Sequence, residues 1–242
     1  MKLLIIVLLL LSSKVAVSDT SATWNRIILS GGAYTLMGLA PPELRAADTL
    51  NIFLEGDGAP GTAFELAEFI GGNSVYIARP CQYFSRQQFT NCDKALLTSH
   101  RYSRAVIDSI SRAITVMKIR YQASRVRLIG FSGGGAIATI IAAQRDDIDL
   151  LVTVAGNLDH KRWTEFNEIA PLIGSLNPVD FSGSLEGVRQ IHLIGERDNV
   201  VPGSVLSSYL AHMQKLDNVK SYIISGADHL CCWSMALADV LD

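Results

Sequence analysis

The chain has 242 residues, of which 49% are hydrophobic and 18% charged, with 21 basic and 23 acidic residues and a formal net charge of −2. That length suits one α/β domain, and that composition supplies a large core and excludes intrinsic disorder. The near-balance of charge and the lack of any Arg- or Lys-rich arm argue against a nucleic-acid-binding surface.

Reading from the start, Lys2 precedes an unbroken apolar run from Leu3 to Leu11, followed by the small-residue pattern Ala16-Val17-Ser18. This is the layout of a secretory signal peptide, with cleavage expected after Ser18. Nine apolar residues make a helix of about 14 Å, against a hydrocarbon core of roughly 30 Å, so no stable membrane insertion is expected after cleavage. The expected destination is periplasmic or secreted. Residues 19–242 then form one domain.

Arg26 to Leu36 reads as one or two antiparallel strands. Six short apolar runs follow as strands: Leu50–Leu54, Ser74–Ala78, Val126–Ile129, Leu150–Val154, Gln190–Ile194 and Val219–Ile224. Helical spacing marks Ala63–Ile70, Arg104–Tyr121, Gly134–Ala143, Val205–Met213 and Ser234–Leu241. Strands alternating with helices imply a mostly parallel sheet covered on both faces. Two segments break the alternation, Pro80–Arg101 and Gly156–Val188. Both leave strand ends where the sites of open α/β sheets form. The second is expected to act as a lid or substrate-binding cap.

Cys81 and Cys92 flank a polar segment and are a natural disulfide for an oxidising compartment. Closing such a loop contributes roughly 2–3 kcal/mol on the chain-entropy model. No Cys/His spacing suits a metal. Cys231 and Cys232 are neighbours, and since adjacent disulfides are strained they read as small buried hydrophobes.

Chemistry concentrates at Gly130-Phe131-Ser132-Gly133-Gly134, a G-x-S-x-G pattern between a strand and a helix. A serine on such a tight turn projects its hydroxyl beside a helix N-terminus, whose free N–H groups favour a developing oxyanion. No Lys-Ser/Thr follows, which excludes a Walker-type phosphate loop. A serine nucleophile needs a base, and the base needs an orienting acid. Asp198, in the turn after the Gln190–Ile194 strand, is the expected orienter, with Glu196 as runner-up. His229, on the loop after the last strand, is the expected base. The oxyanion donors are expected from the N–H of Gly133 and that of Asp57, with Gly58 as alternative, in Leu54-Glu55-Gly56-Asp57-Gly58. The acidic side chains of Glu55 and Asp57 sit oddly there. They either hold the loop or face a cationic substrate.

These motifs resemble the α/β-hydrolase superfamily over roughly residues 25–242. Leu54-Glu55-Gly56-Asp57-Gly58, Ala78-Arg79-Pro80-Cys81-Gln82-Tyr83 and Arg101-Tyr102-Ser103 are similar to those of a loosely defined group of exported bacterial α/β hydrolases. The resemblance implies a mostly parallel central sheet, acyl hydrolysis, no cofactor, and Ser132, Asp198 and His229 as a triad. The expected substrate is a small-molecule or lipid-like carboxylic ester. Peptide or amide hydrolysis on the same triad is the alternative, and a non-catalytic binding protein with this fold is a third reading.

Overall fold

The computed structural model describes residues 24–43, 46–58, 61–82 and 92–241. The expected signal segment and Tyr83 lie outside the described residues. Eight strands form one sheet: β1 (Asn25–Ser30), β2 (Thr35–Ala40), β3 (Thr49–Leu54), β4 (Ser74–Ile77), β5 (Arg125–Phe131), β6 (Ile148–Val154), β7 (Gln190–Gly195) and β8 (Val219–Ile224). Their spatial order is β1-β2-β4-β3-β5-β6-β7-β8. The β1–β2 hairpin and the β2–β4 pair are antiparallel, and every pairing from β4 through β8 is parallel.

Six helices cover the sheet: α1 (Thr62–Ile70), α2 (Arg104–Arg120), α3 (Gly133–Ala142), α4 (His160–Phe166), α5 (Gly203–Ala211) and α6 (Ser234–Leu241). Apolar residues on opposite faces of the strands feed two cores. One collects Leu50, Ile52 and Leu128 with α2 and α3. The other collects Phe53, Ile129 and Val152 with α1 and Trp233. β5 and β6 lie mid-sheet and are buried on both faces, hence their near-continuous apolar runs. α3 is buried along its whole length, which explains its small, uncharged composition. Among the described residues no helix is long and apolar enough to cross a membrane.

The long segment 156–188 contains α4 and a 3₁₀ stretch, Pro178–Leu185. It buries Leu158, Trp163, Leu172, Val179 and Leu185 in the first core. Asp159 caps α4 and also receives bonds from Asn177 Nδ2 (2.8 Å) and Ser208 Oγ (2.6 Å), tying the segment to itself and to α5.

Cys81 and Cys92 form a disulfide. The reading of Cys231 and Cys232 as buried hydrophobes is overturned. They are bonded to one another, Cys231 is half-buried and Cys232 exposed. The cause is the turn that carries them. Asp228 Oδ1 accepts the N–H groups of both Leu230 and Cys231 at 2.9 Å, and Cys232 has φ 77°. Trp233, the next residue, fills the core beneath and leaves the pair outside.

Candidate active site

The turn between β5 and α3 begins with sterics. Ser132 adopts φ 51° and ψ −118°, a backbone conformation that costs of order 1–3 kcal/mol for a residue with a side chain. Its neighbours hold it there. Ser132 N–H donates to Val154 O (2.9 Å), and Ser132 O accepts from Gly135 N and Asn157 N. Gly134 packs so closely on the end of β3 that a side chain would enter the carbonyl oxygens of Leu54 and Glu55. A Cβ on Gly133 would stand 2.5 Å from Asp57 Cγ. The glycines therefore admit the β3 loop to the serine.

Three residues far apart in sequence meet at this turn. Ser132 Oγ lies 3.1 Å from His229 Nε2, and His229 Nδ1 lies 2.9 Å from Asp198 Oδ2. Each sits just past a strand end, on β5, β8 and β7 respectively. The Asp198 side chain is fully buried. Its other oxygen accepts the N–H groups of Val200 and Val201, both at 2.8 Å. With one oxygen anchored to backbone, the other can only face the imidazole. Glu196, the runner-up acid, points elsewhere. It accepts Ser225 Oγ and Gly226 N–H, bracing the loop that carries His229. Phe131 packs 5.1 Å from the His229 ring, and Trp233 Nε1 donates to His229 O (3.2 Å).

The β3 loop answers the puzzle of its two acids. Glu55 is buried, and its carboxylate accepts from Gly56 N, Gly61 N, Ala63 N and Tyr76 OH at 2.8–3.4 Å. Two of these donors belong to the N-terminus of α1, where a carboxylate is favoured. Asp57 accepts from Arg79 Nη1, from Arg101 Nη1 (3.1 Å) and from Tyr102 OH (2.6 Å). Burial alone would raise the Asp57 carboxyl, but the two guanidinium groups and the phenol outweigh it and hold it below its ordinary value. Tyr102 moves the opposite way, pushed up by burial and by the adjacent Asp57 charge. The N–H groups of Gly133, Asp57 and Gly58 make no hydrogen bond among the described residues.

Arg79, Gln82, Arg101 and Tyr102 are site-building residues to which residue chemistry alone gave no role. Gln82 Nε2 donates to Gly56 O (3.1 Å), while its Oε1 accepts Arg79 N–H (3.0 Å). A signal for one of them was available: a buried acid such as Asp57 calls for a cation, and Arg79 follows β4, the neighbour of β3.

In front of Ser132 opens a cleft of ≈ 350 Å³, walled by Arg101, Phe131, Trp163, Val200 and Leu230. Trp163 thus lines the cleft, its Nε1 bonded to Val200 O (2.8 Å), whereas Trp233 belongs to the core. The other histidines stand apart. His192 is buried on β7 against Thr153 Oγ1 (2.8 Å), and burial lowers it to about 3. His212 bonds Ser208 O along α5. Among the described residues no group of His, Cys, Asp and Glu is arranged to hold a metal.

The sheet order, the crossovers and the strand-to-helix turn define the α/β-hydrolase fold. No protein-family model matches the chain, and no curated protein matches its sequence. Solved structures do resemble it. The esterase PF2001 of Pyrococcus furiosus is 15% identical with a TM-score of 0.66, over 91% of this chain and 87% of that one. An alpha-beta serine hydrolase homologue from Coxiella burnetii is 15% identical at 0.63, over 90% and 95%. An acetyl xylan esterase from Paenibacillus sp. R4 is 16% identical at 0.66, over 89% and 81%. At these identities the likeness concerns the fold.

Proposed function

We propose that the protein is a serine hydrolase that cleaves carboxylic esters through an acyl-enzyme. The observation that carries this is the hydrogen-bonded chain from Ser132 Oγ through His229 to the buried Asp198 carboxylate. His229 Nε2 takes the Ser132 proton as Oγ attacks the ester carbonyl. Asp198 fixes the tautomer with Nδ1 protonated and stabilises the imidazolium that forms. The N–H groups of Gly133 and Asp57 receive the oxyanion, helped by the positive end of α3. His229 then protonates the leaving alcohol, and water attacks the acyl-serine by the same route in reverse. Ester-cleaving enzymes among the structural neighbours are consistent with this chemistry.

Ester cleavage is favoured over aminopeptidase action by the state of the two loop acids. A free peptide ammonium would need an available carboxylate in the cleft. The oxygens of Glu55 and Asp57 are already occupied by internal donors. We also infer export, from the N-terminal apolar run together with two disulfides.

The test is hydrolysis of short p-nitrophenyl esters by wild type and Ser132→Ala, beside labelling with a fluorophosphonate probe. Wild type should turn over and label at Ser132, while Ser132→Ala should fold and do neither. Undiminished activity in Ser132→Ala would overturn the assignment.

A further inference from the structure

The cleft has a cation that the reaction chemistry does not use. Arg101 follows the 3₁₀ turn Lys94–Leu97 and is fixed on three sides. Its Nε donates to Thr98 O (2.9 Å), its Nη1 to Asp57 Oδ2 (3.1 Å), and its guanidinium lies 5.6 Å from the centre of the Trp163 ring. Nη2 makes no hydrogen bond among the described residues. The side chain is 20% exposed, and that exposure opens into the cleft shared with Ser132 and Trp163.

The pairing of these charges is uneven. Asp57 is shared between Arg101 and Arg79, and Arg79 is the more deeply buried of the two. Arg101 therefore has only part of one carboxylate as its partner. Glu55 also borders the cleft and keeps its charge, but its hydrogen bonds go to three backbone N–H groups and Tyr76, none of them to Arg101. A partly exposed guanidinium with unused N–H groups is suited to a planar anion, above all a carboxylate. Its cation–π contact with Trp163 helps hold it at the wall of the cleft.

We propose that the cleft selects esters bearing a carboxylate, received by Arg101. The proposal rests on the serine-hydrolase reading and adds the class of substrate. Of the two readings of the acidic loop, it takes the one in which the acids hold the loop and sets aside a cationic substrate.

Two matched pairs test it: p-nitrophenyl hexanoate against mono-p-nitrophenyl adipate, with the charge on the acyl side, and phenyl acetate against 4-acetoxybenzoate, with the charge on the alcohol side. In at least one pair, the anionic-to-neutral ratio of kcat/KM should fall about ten- to a hundredfold in Arg101→Gln and partly recover in Arg101→Lys. A ratio guards against general damage to the loop, which would depress both members. A ratio unchanged to within about twofold in both pairs, or a wild-type preference for acetylcholine, would overturn the proposal. A second readout needs no turnover: calorimetric titration of adipate should give binding to Ser132→Ala and none to the Ser132→Ala, Arg101→Gln double variant. If wild type neither hydrolyses any ester nor labels with fluorophosphonate, the serine-hydrolase reading fails. The adipate titration then decides the anion site by itself.

Discussion

Asp57 shows how one side chain can serve a site without touching the reacting atoms. In the proposed mechanism its backbone N–H receives the oxyanion, and its carboxylate anchors the loop that carries that N–H. Removing the carboxylate leaves Arg79 and Arg101 with uncompensated charge in a largely buried cluster. Asp57→Ala is therefore expected to destabilise the fold by about 3–5 kcal/mol in urea unfolding. Gly133→Ala acts from the other side of the same contact, because its methyl group meets the Asp57 carboxylate. It should lower kcat by on the order of a hundredfold or more, by displacing an oxyanion donor. Circular dichroism should show that its secondary structure is kept. Asp198→Asn should reduce kcat by on the order of 10³–10⁴, since an amide stabilises the wrong tautomer and cannot offset the imidazolium.

At the scale of elements, the loops at the strand ends are tied down from outside the site. Glu55 joins the β3 loop to the start of α1, Gln82 joins it to the end of β4, and Glu196 braces the loop after β8. That last loop also carries the Cys231–Cys232 bond, two residues past His229. Thiol titration of the unreduced, unfolded protein should find no free thiol among the four cysteines, and four after reduction. A titre of two before reduction, with the label located on Cys231 and Cys232 by peptide mapping, would show that the adjacent pair is open in solution. The strands and helices were readable because each carries its period: alternation or continuous burial in the strands, and a 3.6-residue apolar stripe in α2. Their edges shifted by only a residue or two, except in the N-terminal hairpin, where Arg26–Leu36 stops four residues short of the end of β2 at Ala40. The adjacent disulfide was not readable, because whether two neighbouring cysteines bond depends on the turn imposed by Asp228 and Trp233.

For the whole molecule, buried histidine is expected to weaken the fold toward acid. His192 lies buried on β7, and burial lowers its pKa to about 3 from an ordinary 6.5. The unfolded chain therefore binds a proton that the folded chain refuses. Its contribution is present above about pH 6.5 and is lost as pH falls toward 3. His160 is shifted in the same direction by burial, and Asp57, held below its ordinary value, adds loss at still lower pH. Urea unfolding should show His192 alone removing about 2 kcal/mol between pH 7 and pH 5. His192→Gln should flatten that part of the curve, and an unchanged slope would show that other groups carry it.

Residue order by itself determined the alternating architecture and the order serine, acid, histidine at strand ends, because periodicity and turn chemistry are local. It also pointed to Cys81 and Cys92, which the structure joins in a disulfide. Only the tertiary structure decided what pairs with Asp57 in the acidic loop. Arg79 and Arg101 lie 22 and 44 residues from Asp57. Arg79 reaches it because β4 pairs beside β3, and Arg101 because the residues just ahead of α2 lie against the same loop, where Tyr102 also meets Asp57. Charge pairing across such distances depends on the order of strands in the sheet, and nothing local to any one segment encodes that order.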